Sequence, residues 1–184
     1  VPVLEQEMKI PVPSLSAVRR RLAEHGGRVL HPLAMEDNWV LDNGARSLAA
    51  SGRLLRLRRF GERLILTLKG EASFSQGVKT RVEVETDVGD AEHMLTILLG
   101  LGFTPVRRYQ KRRELWSFQR VFVALDETPM GSFVEIEGLA DELPSAVQTL
   151  ELDPRAAVRG TYLDLWSTHR AAHPDAPEDM VFGS

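Results

Sequence analysis

Lys79-Thr80-Arg81-Val82-Glu83-Val84-Glu85 alternates with a period of two: Lys79, Arg81, Glu83 and Glu85 share one face, and Val82 and Val84 the other. Side chains of a β-strand point alternately to opposite faces, so this stretch reads as a strand with an apolar side and a heavily charged side. The pattern recurs along the chain. Glu5, Glu7 and Lys9 are in phase opposite Leu4, Met8 and Ile10. Arg56 and Arg58 oppose Leu55 and Leu57, and Lys69 ends a strand backed by Leu64, Leu66 and Leu68. Lys111 and Arg113 form another pair, and Glu135 and Glu137 stand opposite Val134 and Ile136, shortly after Asp126.

Working outward, strands are expected at Leu4–Ile10, Glu36–Leu41, Leu54–Phe60, Arg63–Lys69, Val78–Thr86, Thr104–Phe118, Arg120–Asp126 and Ser132–Glu137. Gly61-Glu62 reads as a tight hairpin, and residues 70–77 as a longer, mobile loop. Helical spacing appears over Ser14–His25, stopped by Gly26, and over Asp90–Leu99, with Asp90 as cap and Gly100 as stop. Pro144 and Pro154 suit helix first turns, the second opening a helix over Arg155–Arg170. Residues 171–184 read as a loose tail after a single domain spanning 1–170. About eight antiparallel strands with covering helices predict an α+β domain built on a barrel or a strongly curved sheet.

The helices carry apolar stripes that need an apolar sheet face to cover. If they take it, and the sheet closes, the charged faces line the interior. Two plainer arrangements compete: the charged faces lie in water, or the charges pair with one another inside the barrel. The in-phase set holds seven carboxylates (Glu5, Glu7, Glu83, Glu85, Asp126, Glu135, Glu137) and eight bases (Lys9, Arg56, Arg58, Lys69, Lys79, Arg81, Lys111, Arg113). Buried charge is costly unless it is paired or meets a ligand. Guanidinium and ammonium groups grip phosphate oxygens, and clustered carboxylates hold hard divalent cations. Together they are the two halves of a metal–polyphosphate site.

The bulk properties narrow the field. The chain has 184 residues, 43% hydrophobic and 27% charged, with a net charge of −3. Such a balance gives no general basic excess for nucleic acid or an acidic membrane. There is no cysteine, which excludes disulfides, zinc–thiolate centres and thiol nucleophiles. Apolar runs fall short of the roughly 18 residues of a membrane helix, no signal peptide is evident, and a cytoplasmic protein is expected. The sequence begins at Val1 rather than Met. The five histidines (His25, His31, His93, His169 and His173) are scattered and are not expected to bind metal.

These motifs resemble the CYTH superfamily, or triphosphate tunnel metalloenzymes. Glu5-x-Glu7-x-Lys9 is similar to the family's ExExK motif, Leu55-Arg56-Leu57-Arg58 to its paired arginines, and Leu66-Thr67-Leu68-Lys69-Gly70 to its lysine strand. Residues 79–85 resemble its central basic–acidic strand, Lys111-Arg112-Arg113-x-x-Trp116 its later basic strand, and 125–137 its terminal acidic hairpin. Asp37-x-Trp39-x-x-Asp42 looks like its aspartate–aromatic strand, and Tyr162–Trp166 fits the closing helix.

The resemblance implies a tunnel of eight antiparallel strands, magnesium or manganese as cofactor, and ATP, tripolyphosphate or thiamine triphosphate as substrate. Residues 78–137 look closest to class IV adenylyl cyclases; tripolyphosphatases and nucleoside or thiamine triphosphatases are the alternatives, and a non-catalytic polyphosphate-binding module a further one. No lysine follows Lys111, which weighs against the thiamine triphosphatase branch. In this reading Arg56, Arg58, Lys69, Arg81 and Arg113 clamp phosphate, with Lys79 and Lys111 in support. Glu5, Glu7, Asp126, Glu135 and Glu137 hold metal. Lys9 positions the nucleophile, acts as a base or balances the neighbouring acids, and Glu83 and Glu85 orient the bases. Trp39 either stacks on a substrate ring or packs in the core. A homodimer is common in the family.

Overall fold

A computed structural model describes residues 2–183. Eight strands, β1 (Val3–Val12), β2 (Arg28–Asp42), β3 (Leu54–Phe60), β4 (Arg63–Ser75), β5 (Val78–Asp87), β6 (Thr104–Phe118), β7 (Val121–Thr128) and β8 (Gly131–Glu137), close into an antiparallel barrel. Their order around it is β1-β5-β4-β3-β2-β6-β7-β8, with β8 paired back to β1. Closure leaves a charged inner face and an outer face that the helices partly cover.

The principal core lies outside the barrel wall. Helix α1 (Leu15–Glu24) is capped by the Ser14 hydroxyl, which accepts from Ser16 N at 3.2 Å, and it buries Leu15, Val18 and Leu22. These pack with α4 (Leu143–Thr149) onto Met8, Ile10, Val123, Leu125, Val134 and Ile136. Leu22 is fully buried, so its truncation to alanine would cost about 2–5 kcal/mol. Gly27 is required where the chain leaves α1: a Cβ there would stand 2.8 Å from Leu22 O and 3.2 Å from the Trp116 ring.

Helices α2 (Ser47–Ala50) and α3 (Ala91–Gly100) cover a second cluster built on Leu41, Leu55, Leu57 and Leu98. Covering stops there. Leu4, Leu68, Val82 and Val84, on the outer face of β1, β4 and β5, remain exposed, so the apolar strand faces are not all met by helices. Among the described residues no helix is long and apolar enough to cross a membrane.

Several sequence expectations are corrected. Residues 70–75 extend β4 across the expected loop, and the turn is only Gln76-Gly77, both at positive φ. The stop after α3 is Gly102 (φ +84) rather than Gly100, which is still helical. The expected helix over Arg155–Arg170 is a short 3-10 turn at Pro154–Ala156, followed by α5 (Tyr162–Ala172). A capping box between Thr161 and Asp164 starts α5 there.

Nor are residues 171–184 a loose tail through their described length. Because β7 pairs only with residues 112–118 of β6, the earlier half of that strand keeps a free edge. Met180 fills it, accepting from Gln110 N at 2.7 Å and donating to Arg108 O at 3.2 Å, with its side chain fully buried. Val1 and Ser184, at the ends of the expected domain and tail, lie outside the described residues.

Candidate active site

The barrel interior holds a cavity of about 480 Å3. One end is closed by α5, whose Tyr162 and Trp166 pack with Val40, Tyr109, Phe133 and Met180. Val3, Phe60, Leu115 and Phe122 add apolar surface to the cavity lining. Of the fifteen charged residues singled out above, fourteen line the cavity.

Strand register explains most of the contacts, since opposed residues on adjacent strands become ion pairs. Lys69 opposes Glu83, and its Nζ lies 2.7 Å from Glu83 Oε2 and 2.7 Å from Glu5 Oε1. Glu7 opposes Lys79 at 2.8 Å, and Lys9 opposes Glu135 at 2.9 Å. Arg58 donates to Glu85 at 2.9 Å. Arg56 donates to the Tyr109 hydroxyl at 3.0 Å and lies 3.4 Å from Glu85. Arg81 instead donates to the Gly70 carbonyl, at 3.0 and 3.2 Å, where a register shift interrupts the β4–β5 ladder.

Asp126 is the exception among the fifteen. It is fully buried on the inner face of β7, beneath the cavity-lining groups it bonds, and accepts from Arg113 Nε at 2.7 Å, Lys111 Nζ at 3.1 Å and the Tyr162 hydroxyl at 2.6 Å. In this arrangement it anchors two bases and α5. Arg113 also contacts Glu135.

Sequence reading missed Glu36, Asn38, Thr67, Tyr109 and Tyr162. Glu36 and Asn38 are inward on β2, in phase with Val40, so strand alternation could have found them. Tyr162 comes from α5, whose placement no local pattern gives. Trp39 lies on the outer face, half-buried, with the Arg108 guanidinium 5.4 Å from its ring, and does not pack in the core. Asp42 caps α2, accepting from Asn43, Leu48 and Ala49 N–H groups.

Protonation follows from this crowding. Burial alone would raise Glu7, but Lys9 first, then Lys79 and Lys69, bring it down to about 2. Burial would lower Lys9, yet Glu135 and Glu7 hold it above the usual lysine range. Burial and Glu5 push Glu83 up to about 8 against the pull of Lys69. Glu137, at the exposed rim, rises to about 7 through burial and Glu5. Glu36 is held well below the carboxylate range because Lys111, Arg113, Arg58 and Arg56 outweigh its burial.

Among the described residues no three acids converge closely enough to coordinate an ion as they stand, because lysines and arginines span them. The donor set nevertheless fits a divalent cation. Glu5, Glu7, Glu135 and Glu137 line the same cavity and offer it carboxylate oxygens. Oxygen-only donors suit magnesium or manganese.

Residues 4–155 match the CYTH domain family, and the chain belongs to it. It is 25% identical over 175 residues to the Methanocaldococcus jannaschii protein named "Putative adenylate cyclase MJ0240", covering 89% of this chain and 98% of that one. Its fold is that of a Vibrio parahaemolyticus protein described as "a putative adenylate cyclase": TM-score 0.80, 18% identity, 89% of this chain and 98% of the other. A Hippeastrum protein, described as a "putative adenylyl cyclase" that reveals a dominant triphosphatase activity, superposes with TM-score 0.66 at 18% identity, covering 90% and 96%. CYTH members act on triphosphates, generally with a divalent metal.

Proposed function

We propose that this chain is a metal-dependent enzyme that processes an organic triphosphate in its tunnel, in the manner of an adenylyl cyclase converting ATP to cyclic AMP and pyrophosphate. The observation that carries this reading is the inner wall itself. Arg56, Arg58, Lys69, Lys79, Arg81, Lys111 and Arg113 converge on one cavity, and the Nε atoms of Arg56 and Arg58 are buried there with no partner. Unsatisfied buried donors on guanidinium groups are what an absent phosphate chain would leave behind.

The arginines and lysines bind and orient the triphosphate and take up charge that develops on its oxygens. Glu5, Glu7, Asp126, Glu135 and Glu137 would hold magnesium or manganese, and Asp126 also positions Lys111 and Arg113. A bound divalent cation supplies Lewis-acid polarisation of the phosphoryl group and stabilises the leaving oxygen. Lys9, kept protonated by Glu135 and Glu7, acts as a fixed cation beside the reacting group and not as a base. In the cyclase reaction the ribose 3′-oxygen bonds to the α-phosphorus as the α–β bridging bond breaks. Pyrophosphate carries away the electron pair, and the hydroxyl proton passes to solvent.

The alternative is attack of water on the terminal phosphorus, releasing orthophosphate. It draws support from the triphosphatase activity of the Hippeastrum relative. Incubation with ATP, tripolyphosphate or thiamine triphosphate, with magnesium or manganese, separates the two. Cyclic AMP with pyrophosphate is expected; orthophosphate supports the hydrolase. Tight binding without turnover would leave a non-catalytic polyphosphate-binding module. The proposed setting is the cytoplasm, with neither nucleic acid nor membrane as partner, and self-association into a dimer is testable by light scattering.

A further inference from the structure

The inner wall of β2 and β3 carries a row of buried polar atoms without partners: Glu36 Oε2, Asn38 Oδ1, Arg56 Nε and Arg58 Nε. Glu36 is the unusual member, a wholly buried carboxylate on a wall of bases. Its Oε1 accepts from Asn38 Nδ2 at 3.2 Å and stands 3.6 Å from Lys111 Nζ. Its Oε2 is 3.8 Å from Arg58 and 3.9 Å from Arg113, too long for a hydrogen bond to either.

The same three cations make their short contacts elsewhere. Arg58 reaches Glu85 at 2.9 Å, while Lys111 and Arg113 reach Asp126 at 3.1 and 2.6 Å. Glu36 therefore does little to fix their geometry. What it contributes is charge, placed within 4 Å of three groups that face the cavity. In a buried site that charge is poorly screened, and it subtracts directly from the attraction the wall exerts on an incoming anion.

We propose that Glu36 is an internal counter-anion of the phosphate wall, competing with bound polyphosphate for Arg58, Lys111 and Arg113 and so setting how readily the tunnel releases a polyanionic product. This rests on reading the tunnel as a phosphate site. Glu36 does not touch phosphate: it acts through the charge it sets against the three cations. An enzyme that yields pyrophosphate or tripolyphosphate fragments needs such a limit, because a wall of seven bases would otherwise hold product as firmly as substrate.

The test uses inorganic tripolyphosphate and pyrophosphate as probes, titrated calorimetrically in EDTA so that neither metal nor turnover intervenes. Glu36→Gln keeps the shape and removes the charge; Glu36→Met does the same with an apolar group of similar size. A folded neutral variant should bind both anions about tenfold more tightly than wild type, a shift of about 1.4 kcal/mol, and lose affinity more steeply with salt. With magnesium and substrate, KM and kcat should fall together, as expected when product release slows. A folded neutral variant that binds the anions no more tightly, or less tightly, overturns the proposal. So does Glu36→Asp, which keeps the charge, if it tightens binding as much as the neutral variants do. Failure of wild type to bind either anion would instead remove the phosphate reading on which the proposal rests.

Discussion

The hydroxyl of Tyr162 donates to Asp126 Oδ2 across 2.6 Å, fastening the helix that closes the tunnel to the carboxylate that holds Arg113 and Lys111. The side chain is buried, and its ring meets Phe133 edge-on at 5.3 Å. Tyr162→Phe keeps the ring packing and deletes the donor. It should cost about 1.5–3 kcal/mol of stability, as expected for a hydrogen bond to a buried charge. Urea unfolding measures this; a midpoint equal to wild type would show that α5 is held by packing alone.

Glu5→Gln and Glu135→Gln should each reduce turnover by about a hundredfold or more while leaving circular dichroism unchanged. Full activity in either variant contradicts its assignment to metal. Loss of activity together with unfolding would mean that the interior charges mainly hold one another.

Metal-free protein should lose stability as pH rises from about 6 to about 8.5. Glu83 is raised from an ordinary value of 4.5 to about 8, so in this window the folded chain binds more protons than the unfolded one, and deprotonation favours unfolding. Glu137, raised to about 7, acts in the same direction. Acids such as Glu7, lowered to about 2, have already given their full contribution by pH 6. Magnesium should restore more stability at pH 8.5 than at pH 6, because it competes with those protons. Melting temperatures in EDTA that are flat or rising across the window would contradict the shift.

Trp39→Phe should leave kcat/KM within about twofold of wild type, since the indole lies on the outer face under Arg108. A large loss would show that this face takes part in catalysis.

Strand alternation made the inner wall legible because charges recur in phase on one face of β1, β3, β5, β6 and β8, even though Val3, Phe60 and Leu115 share it. Leu54–Phe60 and Thr104–Phe118 matched the structure at both ends, since turn residues bracket them. The early part of β2 was not legible: Val29, Leu30, Leu33 and Met35 are all exposed, and two register shifts break the alternation with β6. Residues 70–75 were hidden by the Gly70 register shift, and α5 by the linker that precedes its capping box.

Local pattern gave the direction of each charge but not the depth at which it sits. For that reason nothing in the pattern showed that Asp126, inward on β7, lies beneath Lys111, Arg113 and Tyr162. The value of Glu36 was invisible for the converse reason. One acid on a strand is unremarkable until three cations from other strands surround it.

The central claim is that the tunnel grips a triphosphate, and a crystal structure with magnesium and a non-hydrolysable ATP analogue tests it most directly. Phosphate oxygens are expected within hydrogen-bonding distance of Arg56 and Arg58, satisfying their unpaired Nε atoms, with the metal on Glu5, Glu7, Asp126, Glu135 or Glu137. An analogue bound outside the barrel, with the Lys69–Glu5 and Lys79–Glu7 pairs intact around an anion-free cavity, would contradict it.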